Sequence, residues 1–386
     1  MKQLVAPHMR KLLGKPVAVL PPPQEHPLGK RIVNFTLGDP ARVDPRKFAT
    51  PEHIQQAVGR CDGEYLPPRG HPKLIELLAE REVGTDRLVV TNGGSEGMEK
   101  LIQVTTGHIL MPSPCFPPYL EGHDYTGKEV RLYRIDPSIG PDIGDIERQI
   151  RDDTVAILVI NPNNPNGMAY KRKVLEEVIA LARKHGLVIV ADEVYQDLTF
   201  DEPPPRIREL TTDVPIIEIW SASKKYLMCG HRVGAIAFHN VTDELIQLET
   251  AIARVCATRL CANAPGQLGA IAAIEGGTEH IPPMIDELKR RARIMMDGVS
   301  SIPGTRLVTP KAGFYLWWGM QGTEFKTDVE FTRALAAEEA VYILPGSGFS
   351  RDQSKDGLWF RSVFLSPPDV IREGFGRIAN FVARHS

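Results

Sequence analysis

The sequence predicts an α/β protein with a mostly parallel sheet flanked by helices. Three observations predict it. Apolar runs of strand length recur along the first two thirds of the chain, and one of them is followed by a stretch of clear helical periodicity. The runs are apolar throughout rather than alternating, as in strands covered on both faces. They stop at clusters of Gly, Pro, Asn, Asp or Ser, whose turn chemistry ends a strand.

Taken in chain order, Leu88-Val89-Val90-Thr91 is a strand leading into Asn92-Gly93-Gly94-Ser95-Glu96-Gly97 and a helix. A glycine turn that opens a helix presents backbone N–H groups to a phosphate. Phe116, in Pro114-Cys115-Phe116-Pro117, follows another strand-like run and offers a ring for stacking. Val155 to Ile160 is a buried strand ending in the turn Asn161 to Gly167. Lys171 to His185 carries apolar residues at Val174, Leu175, Val178, Ile179, Leu181 and Ala182, which is helical spacing. Leu187 to Ala191 is the next strand and stops at Asp192-Glu193-Val194-Tyr195. Pro203-Pro204-Pro205 is a surface loop after the strand-like Leu198-Thr199-Phe200. Ile216 to Trp220 delivers Ser221-Ala222-Ser223-Lys224, followed by Gly230, Arg232 and Gly234. Glu275 to Thr278 ends one helix, and Ile281 to Val299 is a long connecting one. Pro21 to Pro27 reads as an extended arm.

Ligands of an open α/β sheet bind outside the carboxyl ends of its strands. Successive strand ends therefore present Asn164, then Asp192 and Tyr195, then Ser221 and Lys224 to one crevice. Each residue suits pyridoxal 5'-phosphate. Lys224 would hold the aldehyde as a Schiff base and, once released by substrate, act as the base that moves the α-proton. Asp192 would keep the pyridine nitrogen protonated. Asn164 and Tyr195 would donate to the phenolic oxygen. Gly94, Ser95 and Glu96 at the helix opening, with Ser221, Ser223 and Arg232, would surround the phosphate.

With these motifs the chain resembles the class I/II aminotransferases, enzymes of the fold-type I pyridoxal phosphate transferase class, nearly end to end. Family-like segments are Leu37 to Pro40, Tyr65 through Gly70-His71-Pro72, Asn92 to Glu96, Asn161 to Gly167, Asp192 to Tyr195 and Ser221 to Gly234. Pro310 to Tyr315, Pro345 to Phe349 and Phe360 to Phe364 complete them. Within the family the chain is most similar to prokaryotic alanine (glutamate–pyruvate) aminotransferases, through Ile160 to Gly167, Arg259 to Gln267 and Phe360 to Pro367. The resemblance implies a large cofactor-binding domain over 46–285, with 1–45 and 286–386 forming an N-terminal arm and a smaller α+β domain. It implies a homodimer with composite active sites, in which Tyr65 crosses to the neighbour's cofactor phosphate. It assigns Gly38, Asn164 and Arg361 to the substrate carboxylate, where a planar fork suits bidentate pairing. Arg259 matches the position that, in dicarboxylate-using relatives, reaches across the dimer toward a distal carboxylate. The chain departs from the family at Asn166, where threonine is usual, at His231, where tryptophan is, and at Ser362-Val363 after Arg361. No tyrosine precedes Tyr65, although several relatives close an N-terminal tyrosine over substrate.

Composition narrows the partners. A net charge of −2 gives no electrostatic reason to expect nucleic acid or an anionic membrane. No run approaches the roughly 18 apolar residues of a membrane span. The N-terminus, with Lys2, Arg10, Lys11 and Lys15 among prolines, lacks a signal-peptide core. Five cysteines make an odd count without a Cys-x-x-Cys pair, the pattern of reduced thiols in cytoplasm. The eleven histidines show no metal-ligand spacing, and no metal is expected. The expected activity is transfer of an amino group between an L-amino acid, best alanine, and 2-oxoglutarate by a ping-pong mechanism. Another small or aromatic donor, or a lyase on the same fold, is the alternative, because cofactor motifs alone do not fix reaction type.

Overall fold

The computed structural model describes residues 22–43, 52–350 and 357–385, together with 6, 8 and 9. The boundary expected at residue 46, Pro21 and the basic residues of the N-terminus lie outside them. After a helix at Glu52–Val58, the large sheet and helices around it begin with α1 (Pro72–Leu78), β1 (Leu88–Thr91), α2 (Gly94–Val104), β2 (His108–Ser113), α3 (Pro117–Thr126), β3 (Leu132–Asp136) and β4 (Gly140–Pro141). Then come β5 (Thr154–Ile160), α4 (Arg172–His185), β6 (Val188–Asp192), β7 (Ile216–Ser221), α5 (Ala222–Lys225), β8 (Gly234–His239), α6 (Asp243–Ala257) and α7 (Ala264–Gly276). Eight strands form one sheet in the order β1-β8-β7-β6-β5-β2-β3-β4. Pairing is parallel from β7 through β6, β5 and β2 to β3, while β8 runs antiparallel to both β7 and β1.

The unbroken apolar runs follow from burial on both faces. Ile157 and Val159 of β5, with Ile189 and Ala191 of β6, pack against Leu175, Val178, Ile179 and Ala182 of α4. The alternate residues Ala156, Leu158 and Ile160, with Val190, pack against Met98, Leu101 and Ile102 of α2 on the opposite face. Since strand side chains alternate, a strand between two helical layers has no polar position to spare.

The C-terminal part is built from α8 (Ile281–Ser300), β9 (Thr305–Val308), β10 (Tyr315–Met320), α9 (Asp328–Glu339), β11 (Leu344–Pro345), β12 (Leu358–Val363) and α10 (Pro368–Arg384). Its four-stranded antiparallel sheet has the order β9-β10-β12-β11. Val33 and Phe35 share a core with Met284, Met295, Phe331 and Phe375, and Val33–Asn34 pairs in parallel with Val341–Tyr342. Residues near both ends of the chain thus build one body.

One expected strand is absent. Gln196–Leu198 forms a 3₁₀ turn, and Thr199 makes a single bridge to Ala312. The segment lies beside a turn rather than a strand: Gly313 N–H donates to Leu198 O, and Phe200 N–H to Lys311 O. Among the described residues no helix is long and apolar enough to cross a membrane, and no His, Cys, Asp and Glu group has a metal-holding arrangement.

Candidate active site

A cavity of about 420 Å³ opens at the carboxyl ends of the central strands, within the size range of cofactor and small-ligand pockets. Strand register creates it. Ile160 lies opposite Asp192, and Asp192 opposite Ile219, so the turn after β5, the end of β6 and the start of α5 stand side by side. On the far edge Gly234 pairs with both Ser221 and Thr91. A Cβ at 234 would come within 2.5 Å of Gly93 C and 2.6 Å of Gly94 N, so glycine lets the α2 opening close against β8.

That opening is made for an anion. Gly93, at φ 86°, starts α2 with no side-chain cap on its leading N–H groups. Arg232 stands beside it in the left-handed region at φ 53°, a conformation that costs a non-glycine residue about 1–2 kcal/mol. Its guanidinium is steadied by Cys229 O at 2.8 Å and Asn92 O at 3.3 Å, with the side chain reaching solvent. Ser221 Oγ donates toward Ser223 Oγ (2.9 Å) or Val233 O (3.2 Å) and accepts from Ser223 N–H. Two hydroxyls, a guanidinium and the helix N-terminus thus surround one point.

At the other end Asp192 is buried, and Tyr119 Oη donates to its Oδ2 at 2.8 Å. Burial raises its pKa to about 6, against the hydrogen bonds from Tyr119 and Val194 and the positive charge of Lys224. A carboxylate held in so apolar a place gains from a cation brought to it. Phe116, edge-on to Tyr119 at 5.3 Å, lines the wall above. Tyr195 Oη lies 2.7 Å from Tyr315 Oη, and burial pushes the Tyr195 phenol well above its ordinary pKa, keeping it a neutral donor.

Lys224 Nζ donates to Gly38 O at 2.7 Å and lies 3.8 Å from Cys229 Sγ. Burial opposes its charge, while Tyr315, Cys229 and Asp39 favour it, and the balance raises its pKa. Arg361, buried on β12, is sandwiched between the rings of Tyr315 (4.7 Å) and Phe349 (4.8 Å). It donates to Thr36 O at 2.7 Å and Asn164 Oδ1 at 3.1 Å, and its Nε has no partner. A buried N–H without an acceptor is costly, and a substrate carboxylate would supply one. With Oδ1 turned to Arg361, Asn164 keeps its amide N–H₂ for a second ligand atom.

Of the residues expected from sequence, Gly38, Gly94, Ser95, Phe116, Asn164, Asp192, Tyr195, Ser221, Ser223, Lys224, Arg232 and Arg361 line this cavity. Three stand apart from it. Glu96 accepts from Arg259 Nε at 2.8 Å, and Arg259 also donates to Val90 O (2.8 Å) and Cys256 O (2.9 Å) of its own chain. Tyr65 is 77 % exposed on the surface. Sequence reasoning missed Tyr119, Tyr315, Cys229 and the carbonyl of Thr36. Tyr119 follows Phe116 by three residues at the start of α3, a one-face spacing that could have revealed it. A backbone carbonyl such as that of Thr36 carries no residue-type signal.

A helix-opening phosphate cradle, a buried carboxylate, two phenolic or amide donors and a lysine between them fit a phosphorylated pyridine aldehyde. Comparison with known proteins agrees. The model of the family described as aminotransferase class I and II matches residues 30–378. Tyrosine aminotransferase of Mus musculus is 29 % identical, over 92 % of this chain and 82 % of its own. Glutamate–pyruvate aminotransferase AlaA of Escherichia coli K12 is 26 % identical, over 92 % of this chain and 91 % of its own. The solved alanine aminotransferase from Pyrococcus furiosus superposes with a TM-score of 0.86 at 30 % identity, covering 93 % of this chain and 94 % of that one. With such a site on such a fold, the chain belongs to the class I and II aminotransferases, which use pyridoxal 5'-phosphate to move amino groups between amino acids and oxo acids.

Proposed function

We propose that this aminotransferase uses alanine as donor and 2-oxoglutarate as acceptor by a ping-pong mechanism, as a cytoplasmic homodimer. The observation that carries the donor is the charge inventory of the cavity. Among the described residues lining it, the cations are Lys224, Arg232 and Arg361, and each has a use without any side-chain carboxylate. A donor with one carboxylate leaves none of them short, and the distal carboxylate of 2-oxoglutarate would be met by a group from beyond these lining residues. The names of two relatives, alanine aminotransferase and glutamate–pyruvate aminotransferase, support the same donor. All five cysteines are unpaired, which suits a reducing compartment.

When bound, pyridoxal phosphate supplies the carbonyl that accepts the amino group and a ring that withdraws electrons from the substrate Cα. The residues do the rest. The α2 N-terminus, Ser221, Ser223 and Arg232 hold the phosphate, with Tyr65 of the partner subunit as a further donor. Asp192 holds a proton on the ring nitrogen, Phe116 covers the ring, and Tyr195 and Asn164 donate to its phenolic oxygen. Arg361 fixes the substrate carboxylate through its unpartnered Nε. Lys224 would hold the aldehyde and, once free of it, would carry the proton to and from the substrate Cα. On this reading residues 46–285 form the cofactor-binding domain, and 1–45 with 286–386 an N-terminal arm and small domain.

The test is absorbance of the bound cofactor as amino acids are added singly, followed by oxo acids. Alanine and glutamate should convert its spectrum, and pyruvate and 2-oxoglutarate should restore it. Conversion by tyrosine or aspartate in preference to alanine would overturn the donor assignment.

A further inference from the structure

The helix that carries Lys224, α5, is only four residues long. Its own ladder amounts to one turn, held at the end by Tyr226 N–H on Ala222 O, and a single turn is marginal without outside support. Much of that support converges on one buried carboxylate. Glu82 lies on the π-helical turn Ala79–Val83 that continues α1, with its side chain 3 % exposed. Oε2 accepts from Trp220 Nε1 at 3.0 Å and from Lys225 Nζ at 3.0 Å. Oε1 accepts from Lys225 Nζ at 2.9 Å and from Tyr226 Oη at 2.5 Å.

The identity of the donors is the informative point. Trp220 is the residue before Ser221, while Lys225 and Tyr226 are the two after Lys224. One carboxylate therefore grips the chain on both sides of Ser221–Lys224 from outside the cavity, while Lys224 lines the cavity itself. The grip is itself anchored. Arg208 donates to Glu82 O at 2.9 Å, His280 Nε2 meets Lys225 O at 2.7 Å, and Lys225 Nζ lies 3.6 Å from Asp197, two residues past Tyr195. Neither Glu82 nor its three donors lines the active-site cavity.

Stability alone does not call for this arrangement. A buried ion pair can often be exchanged for apolar side chains of the same volume at no cost. What apolar side chains cannot supply is direction: three donors aimed at two oxygens fix the rotation of the turn as well as its position. We propose that Glu82 is a positioning residue for Lys224, setting where its Nζ stands relative to the cofactor aldehyde and the substrate Cα. The proposal rests on the assignment of Lys224 as the lysine that holds the cofactor. Reacting atoms displaced by about 1 Å can lose ~100-fold in rate, so a loosened turn should be felt in Lys224 chemistry before it is felt in substrate binding.

The experiment follows covalent attachment of pyridoxal phosphate to cofactor-stripped, full-length protein, by borohydride trapping and mapping of the modified peptide. In Glu82→Gln an N–H₂ replaces one acceptor and faces the donors. Its attachment rate and kcat should both fall by roughly 10–100-fold. KM for the amino donor should stay near wild type, because Arg361 is held separately by Thr36 and Asn164. Trp220→Phe removes one donor without changing charge and should shift both rates the same way by a smaller factor, which decides the matter if Glu82→Gln does not fold. Wild-type attachment rates in the folded variants, measured well below their melting temperatures, would overturn the proposal whatever happens to Tm. Failure of wild type to attach the cofactor at Lys224 is a different result, and would overturn the site assignment beneath it.

Discussion

At the scale of single residues, the site places groups where they are uncomfortable until a ligand arrives. Lys224 has two proposed roles, so Lys224→Ala should leave a folded protein with background turnover. Removal of a general base alone costs ~10²–10⁴-fold, and retention of more than about a tenth of wild-type kcat would refute the assignment. Asp192 shows the same discomfort as a stability effect. Its pKa is raised to about 6 by burial, against about 3.9 in an unfolded chain. A raised carboxyl binds its proton more tightly when folded, so cofactor-free wild type loses stability as pH rises from about 4 to about 6, and stays at the lower level at pH 7. Asp192→Asn keeps an acceptor for Tyr119 without the charge. It should be more stable than wild type at pH 7 by up to roughly 3 kcal/mol, at 1.36 kcal/mol per pH unit, with the difference closing below pH 4. Denaturant unfolding of both cofactor-free proteins at the two pH values reads this directly, and the same variant should lose most of its transfer activity. Equal stability at pH 7 would show that the Asp192 carboxylate is not held at a cost.

Among elements, α2 shows what a sequence discloses and what it withholds. Asn92 to Gly97 announced a helix opening, and the apolar runs that became β5, β6 and β7 announced their strands, because turn residues and two-faced burial leave marks in local sequence. Glu96 was expected beside the phosphate on the same local grounds. It turns instead to Arg259, 163 residues away, whose guanidinium spans Glu96, Val90 O and Cys256 O. Nothing local to either residue signals that pairing, just as nothing around Leu198 to Phe200 signals that the neighbouring segment offers a turn rather than a strand. Arg259 thus ties the first turn of α2 to the end of β1 and to α6. On this geometry Arg259→Leu should weaken pyridoxal phosphate binding, and reduce kcat/KM for alanine and glutamate by similar factors. A charge-assisted hydrogen bond contributes about 1.5–3 kcal/mol, or roughly 10–150-fold. A loss confined to glutamate and 2-oxoglutarate would instead place this guanidinium on the distal carboxylate of the longer substrates, the role the family resemblance implies.

For the molecule as a whole, the open question is whether one chain makes a complete site. Tyr65 is a large ring at 77 % exposure, set apart from the cavity of its own chain, and the family resemblance assigns it to the neighbour's. In the proposed homodimer its hydroxyl serves the neighbour's phosphate, which makes a mixed dimer decisive. One chain carries Tyr65→Phe and the other Lys224→Ala. If Tyr65 acts across the interface, one site of the hybrid receives Lys224 from the first chain and an intact Tyr65 from the second, and works fully; the other site lacks both. The hybrid should then show close to half of wild-type activity per dimer, with wild-type affinity for pyridoxal phosphate at its working site. The Tyr65→Phe homodimer should bind the cofactor more weakly by roughly 10–150-fold, the worth of one hydrogen bond to a charged phosphate at about 1.5–3 kcal/mol. If Tyr65 instead served its own chain, the only site in the hybrid with Lys224 would carry the phenylalanine, and its affinity would match the weakened homodimer. Cofactor titration of purified hybrid separates the two results. Binding only across the interface would also link cofactor to assembly, since a ligand that favours the dimer must be favoured by it, so phosphate-loaded wild type should dissociate at lower protein concentration than its Tyr65→Phe counterpart.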